Sequence, residues 1–70
     1  MEFLLCVCND DYQASLEVRK LYPAVPDPKA EKLEMVRVVD ETGSDYLYPA
    51  DYFVALRLPQ SVKKALAKAP

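Results

Sequence analysis

The chain has no tryptophan and no histidine, a single glycine, and no apolar run long enough to cross a bilayer in its 70 residues. Each shortage excludes something. Without histidine, the usual general base near neutral pH and the commonest neutral metal ligand are both missing. The two cysteines, Cys6 and Cys8, supply half of a tetrahedral thiolate site and are separated by one residue, a spacing that suits neither a zinc pair nor an ordinary disulfide. No nucleophile stands with a base and an orienting group, and no phosphate loop or cofactor fingerprint occurs. The chain therefore reads as a non-enzyme with no cofactor and no metal site.

Basic charge is also in short supply. Nine Lys and Arg against eleven Asp and Glu leave a net charge of -2. That balance disfavours nucleic acid as a partner, because non-specific affinity for phosphates comes from clustered cations. The charge is uneven: residues 1–59 hold 6 basic and 11 acidic groups, whereas 60–70 hold Lys63, Lys64 and Lys68 and no acid. An acidic body with a basic tail follows. The apolar stretch "FLLCVC", residues 3–8, is too short for a secretory leader and follows Glu2 where a leader carries positive charge. The expectation is a cytoplasmic protein that begins at Met1, keeps its thiols reduced and has no membrane partner.

What is present is a folding composition, with 51% hydrophobic and 29% charged residues. A chain this short makes one domain and buries only about 60% of the surface its unfolded form exposes. "FLLCVC" predicts a strand buried on both faces, and "NDDYQAS" supplies turn chemistry. "LEVRKLYPAV" begins with Leu16 and Val18 on one face and then slips register, which calls for a bulge or sharp bend near Arg19 and Lys20. Pro23 removes a ladder donor, so that stretch is expected at an edge or a bend. "PDPKAEKLE" reads as a loop with a helical turn over Lys29 to Leu33.

"MVRVVDETGSDYLYP" predicts a β-hairpin with its tip at Asp40 to Asp45, Gly43 meeting the need for positive φ. Tyr46 and Tyr48 share a face of its returning strand. "PADYF" suits a 3₁₀ turn opened by Pro49, and "VALRLP" alternates with Val54, Leu56 and Leu58 expected inward. "PQSVKKALAKAP" closes the chain as a short amphipathic helix with Val62 and Leu66 one turn apart. Residues 1–59 are thus read as the domain and 60–70 as a helical tail.

Five short strands with a 3₁₀ turn before the last resemble the Src-homology-3-type small β-barrel. The stretch "YPADYFVAL" carries the likeness, and "KLYPAV" echoes that family's Ala-Leu-Tyr strand. The resemblance implies a five-stranded barrel in which Pro49 and Tyr52 match the family's groove proline and groove tyrosine. Its groove tryptophan has no counterpart here, so what carries over is the fold and the groove position rather than polyproline recognition. The run "VRVVDETGSDYLYPADYF" also resembles small stand-alone bacterial proteins of uncharacterised role.

The leading expectation is a protein-interaction or accessory module that binds a protein or peptide through an aromatic patch of Tyr22, Tyr48, Pro49 and Tyr52. Tyr46 is expected to be packed and Tyr52 to keep an exposed edge at the 3₁₀ turn. The alternatives are a nucleic-acid-associated barrel using the basic tail with stacking tyrosines, and a structural homodimer that hides Cys6, Cys8 and a sheet edge. The competing reading of the tyrosines is that they line the barrel with wet hydroxyls, and of the cysteines that they are small buried hydrophobes.

Overall fold

A computed structural model describes residues 2–68, so Met1 and the last two residues of the predicted tail lie outside the described residues. Five antiparallel strands make one sheet: β1 (Glu2–Cys6), β2 (Leu21–Val25), β3 (Met35–Val39), β4 (Asp45–Pro49) and β5 (Phe53–Ala55). A short helix α1 (Pro28–Lys32) links β2 to β3, a 3₁₀ turn (Ala50–Tyr52) links β4 to β5, and α2 (Gln60–Lys68) follows. This is the mainly β architecture that the sequence predicts, with the 3₁₀ turn and the terminal helix in place.

The sheet order is β4-β3-β2-β1-β5, so the consecutive strands β4 and β5 form opposite edges. The expected barrel does not close. The sheet nevertheless curls hard. Four strand spacings in a flat sheet would separate its edges by about 19 Å, yet the Tyr48 ring on β4 and the Phe53 ring on β5 have centroids 6.3 Å apart. A connection of only Ala50–Tyr52 forces the two edges together, and no ladder joins them among the described residues.

Register assigns the inner face. Leu4 pairs with Tyr22 and Ala55, Cys6 with Phe53, Ala24 with Val38, and Val36 with Tyr48. These side chains share one face of the pleat because alternate residues point the same way. Cys6, Tyr22, Val38, Tyr48 and Phe53 form the buried cluster, joined by Leu16 from the loop before β2. At the other end of the same face, Leu4, Ala24 and Val36 are only partly covered.

Local chemistry explains the boundaries. The β3–β4 hairpin turns where predicted, with Gly43 at φ 84° and its N–H donating to the Asp40 carbonyl at 3.0 Å. Asp27 caps α1 by accepting the Ala30 N–H at 3.1 Å, with Pro28 in the first turn.

Four expectations need correction. First, β1 stops at Cys6, leaving Val7 exposed. Second, β2 starts only at Leu21: Leu16 is buried but lies in the loop before the strand and Val18 is exposed, while the bend falls where expected, at Arg19, φ 73°. Third, β2 is internal rather than at an edge. Pro23 is tolerated because it pairs with Phe3 on the β1 side, while pairing to β3 begins only at Ala24. Fourth, β5 has the opposite parity to the prediction: Phe53 and Ala55 face inward with Cys6 and Leu4, so Val54 points out and Leu56 lies beyond the strand, exposed. Assigning Phe53 to the turn displaced the alternation by one residue.

Candidate functional site

The sequence-predicted residues do not form one exposed patch. Tyr22 and Tyr48 are 2% and 3% exposed and belong to the core. Tyr52 is half-buried, and Pro49 ends β4 opposite Met35, where it precedes the 3₁₀ turn. Tyr46, expected to be packed, is 55% exposed. It shares a face with Tyr48, but only Tyr48 lies under the loop at 9–16.

That loop supplies the residue that sequence reasoning missed. Tyr12 stands 38% exposed between the predicted rings. Its ring meets Tyr48 edge to face at 4.9 Å and Tyr52 at 6.1 Å. Tyr48 touches Phe53 at 6.3 Å, and Phe53 touches Tyr22 at 6.4 Å, also edge to face. A continuous chain of aromatic rings thus runs from the core to the surface, in the geometry that ring quadrupoles favour. The signal in the sequence was a lone aromatic among acids in "NDDYQAS".

The loop is locked rather than loose. Tyr12 N–H donates to Asn9 at 2.8 Å, Leu16 N–H donates back to the Tyr12 carbonyl at 2.9 Å, and Asn9 Nδ2 donates to the Leu16 carbonyl at 3.0 Å. Asp11 takes a left-handed conformation at φ 69°, which a short polar side chain tolerates. Leu16, 1% exposed, pins the loop into the core.

Two polar clusters anchor the buried tyrosines. The Tyr48 hydroxyl donates to Asp40 Oδ2, and Ser15 Oγ lies 2.9 Å from the same hydroxyl. Thr42 donates to Asp40 Oδ1 through its N–H, at 2.8 Å, and through its hydroxyl. Burial pushes the Asp40 carboxyl up, but the bonds from Thr42 and Tyr48 outweigh it and hold the group below the usual carboxylate range. Burial and the Asp40 contact push the Tyr48 phenol up. At the second cluster, Tyr22 accepts the Glu17 N–H at 2.7 Å and donates to Glu41, which also pairs with Lys20. Burial, then the bond to Glu41, raises the Tyr22 phenol well above its ordinary value. The Lys20 and Tyr22 bonds hold the Glu41 carboxyl low.

The surface above these clusters is aromatic and acidic. Tyr12, Tyr46, Leu47 and the Tyr48 edge line a shallow depression of about 360 Å³ whose polar lining includes Asp40 and Thr42. Beside it the Tyr52 hydroxyl donates to the Asp10 carbonyl at 3.1 Å. Desolvation raises the Tyr52 phenol, and the neighbouring Cys8, Asp10 and Asp11 raise it further. A face of this kind can stack apolar groups and attract a cation. Of the thiols, Cys8 lies next to Tyr52, its N–H 3.3 Å from the Tyr52 carbonyl, while Cys6 is buried, with its Sγ donating to the Cys8 carbonyl at 3.3 Å, and desolvation raises its pKa. Among the described residues no three His, Cys, Asp or Glu side chains are placed to hold a metal ion.

Comparison with known proteins finds no matching family model, no matching curated protein and no matching solved structure. Among the described residues no helix is long and apolar enough to cross a membrane.

Proposed function

We propose that this chain is a Src-homology-3-like protein-interaction module whose aromatic face is built from Tyr12, Tyr46 and Tyr52 around the edge of Tyr48. The observation that carries the reading is the ring chain. Tyr12 is held edge to face on the buried, hydrogen-bonded Tyr48 and against Tyr52, and Tyr46 stands exposed on the same face of β4. The surface is therefore rigid around Tyr12 and loses little entropy there on binding. The proposed partner is a protein or peptide segment that places an apolar side chain in the depression and a Lys or Arg toward Asp10 and Asp11. Tyr22 and Tyr48 then support the face from beneath, and Tyr52 is the member of the predicted set that meets the ligand. Free thiols at Cys6 and Cys8 accord with a reducing, cytoplasmic setting.

The test is selection of a displayed peptide library on the full-length chain, followed by titration of the selected peptide. Tyr12→Ala and Tyr46→Ala should each weaken binding by about tenfold or more. Among the described residues Tyr46 makes no ring contact, so its removal should lower the melting temperature by only a few degrees. Tyr12 packs on Tyr48, and its removal should cost about 1–2 kcal/mol while leaving the chain folded at the temperature of the titration. Failure to enrich any sequence, or full affinity in both variants, defeats the reading.

A further inference from the structure

The open end of the curled sheet holds a second surface, away from the tyrosines. Leu4, Ala24 and Val36 line an apolar cavity of about 430 Å³. Its rim carries Glu2, Asp27 and Glu31 against one cation among the described lining residues, Arg37. That cation is already engaged: Arg37 Nε bonds Asp27 Oδ2 at 3.0 Å and Nη1 lies 3.6 Å from Asp45 Oδ2. Glu31, exposed on α1, joins no ion pair among the described residues. The groove is therefore apolar with a net negative rim.

Helix α2 has the complementary character. Val62, Ala65 and Leu66 make an apolar stripe at helical spacing, and Lys63, Lys64 and Lys68 give the helix three positive charges and no acid. None of its described residues is buried. A helix of nine residues is not stable alone in water and needs a surface. Lys63 Nζ bonds Glu2 Oε1 at 3.0 Å and holds the helix at the rim of its own groove. Val62 stays 39% exposed there, and no described α2 side chain lines the cavity.

We propose that α2 of one chain docks in this groove of a second copy, and that the exchange is reciprocal, giving a two-fold symmetric dimer. Val62 and Leu66 fill the cavity over Leu4, Ala24 and Val36, and the lysines face the acidic rim. A second copy fits better than closure in place, because the helix is tethered through residues 56–59 and held beside the rim with Val62 exposed and Leu66 only partly covered. A terminal element on a short connection is also a low-cost unit to exchange between identical chains. Reciprocal docking covers both grooves and both helices at once. The tyrosine face takes no part, so this proposal stands or falls separately from the one above.

Sedimentation of the full-length chain over a range of concentrations tests it. The wild type should shift with concentration to twice the monomer mass. Glu31→Lys and Lys64→Glu change exposed side chains, and each alone should weaken self-association by about tenfold. Mixing the two variants should restore it, because position 31 of each groove then meets the opposite charge at position 64 of the incoming helix. Leu66→Asp should leave a monomer with an unchanged β spectrum. A wild type that stays monomeric throughout, as it would if α2 closed on its own groove or a foreign partner filled it, overturns the proposal. So does a dimer indifferent to Leu66→Asp, or a mixture no stronger than its components.

Discussion

Replacing Tyr48 with phenylalanine keeps the core ring and removes one oxygen, which isolates the bond to Asp40. Asp40 is 6% exposed, and the Tyr48 hydroxyl is the partner of its Oδ2. A hydrogen bond to a buried carboxylate contributes about 1.5–3 kcal/mol, and its loss leaves that oxygen unpaired. Tyr48→Phe should therefore lower stability by about 2 kcal/mol at pH 7. In a domain of this size that is a fall of roughly 8–16 °C in melting temperature. The pH dependence identifies the cause. In the wild type the Asp40 carboxyl is held below its unfolded value. The stability it contributes is fully present above about pH 4 and is lost as pH falls through the lower folded value. Without the phenol the folded value rises. The gap between wild type and variant should thus be widest at pH 7 and narrow as acid protonates Asp40 in both. Urea titrations at pH 7, and at steps down to the lowest pH at which the wild type stays folded, measure it. Tyr46→Phe, at an exposed ring, is the control and should cost nothing measurable. A Tyr48→Phe loss below about 0.5 kcal/mol, or one that does not change with pH, would refute the assignment of this bond.

Leu16→Ala should cost about 2–5 kcal/mol although the residue lies in a loop, whereas Val18→Ala should stay within about 0.5 kcal/mol; paired denaturant curves on the two variants check this. Gly43→Val should destabilise by about 1–2 kcal/mol more than Ser44→Val. Nothing lies within 4 Å of a Cβ built on Gly43, so φ 84° alone carries that cost, and equal thermal shifts for the two variants would show otherwise.

The hairpin was legible because its information is local. Alternating Val36 and Val38, the sole glycine at the tip, and Tyr46 and Tyr48 on the return leave little freedom of register. The 3₁₀ turn was legible for the same reason, because Pro49 acts on the backbone within a few residues, whereas the Asp27 cap of α1 came only from the structure. Tyr12 and Leu16 were not legible. Their roles come from a loop that folds over β4, and no spacing within "NDDYQASL" encodes how far that loop reaches. The parity of β5 was missed because it is set by pairing with Cys6 and Leu4, nearly fifty residues earlier in the chain.

The mainly β class, the hairpin, the two short helices and the division into an acidic body and a basic tail follow from the order of residues alone. Each of these rests on dihedral preference, side-chain alternation or charge, which act over a few residues. Tertiary structure alone decided that the sheet stays open and that Pro23 sits in an internal strand. It also decided that Tyr48 is buried while Tyr46, two residues away on the same face, is exposed. Alternation specifies which face a side chain joins. Whether that face is covered depends on elements distant in sequence, here the loop over Tyr48 at one end and, at the other, an apolar groove left open beside Leu4 and Val36.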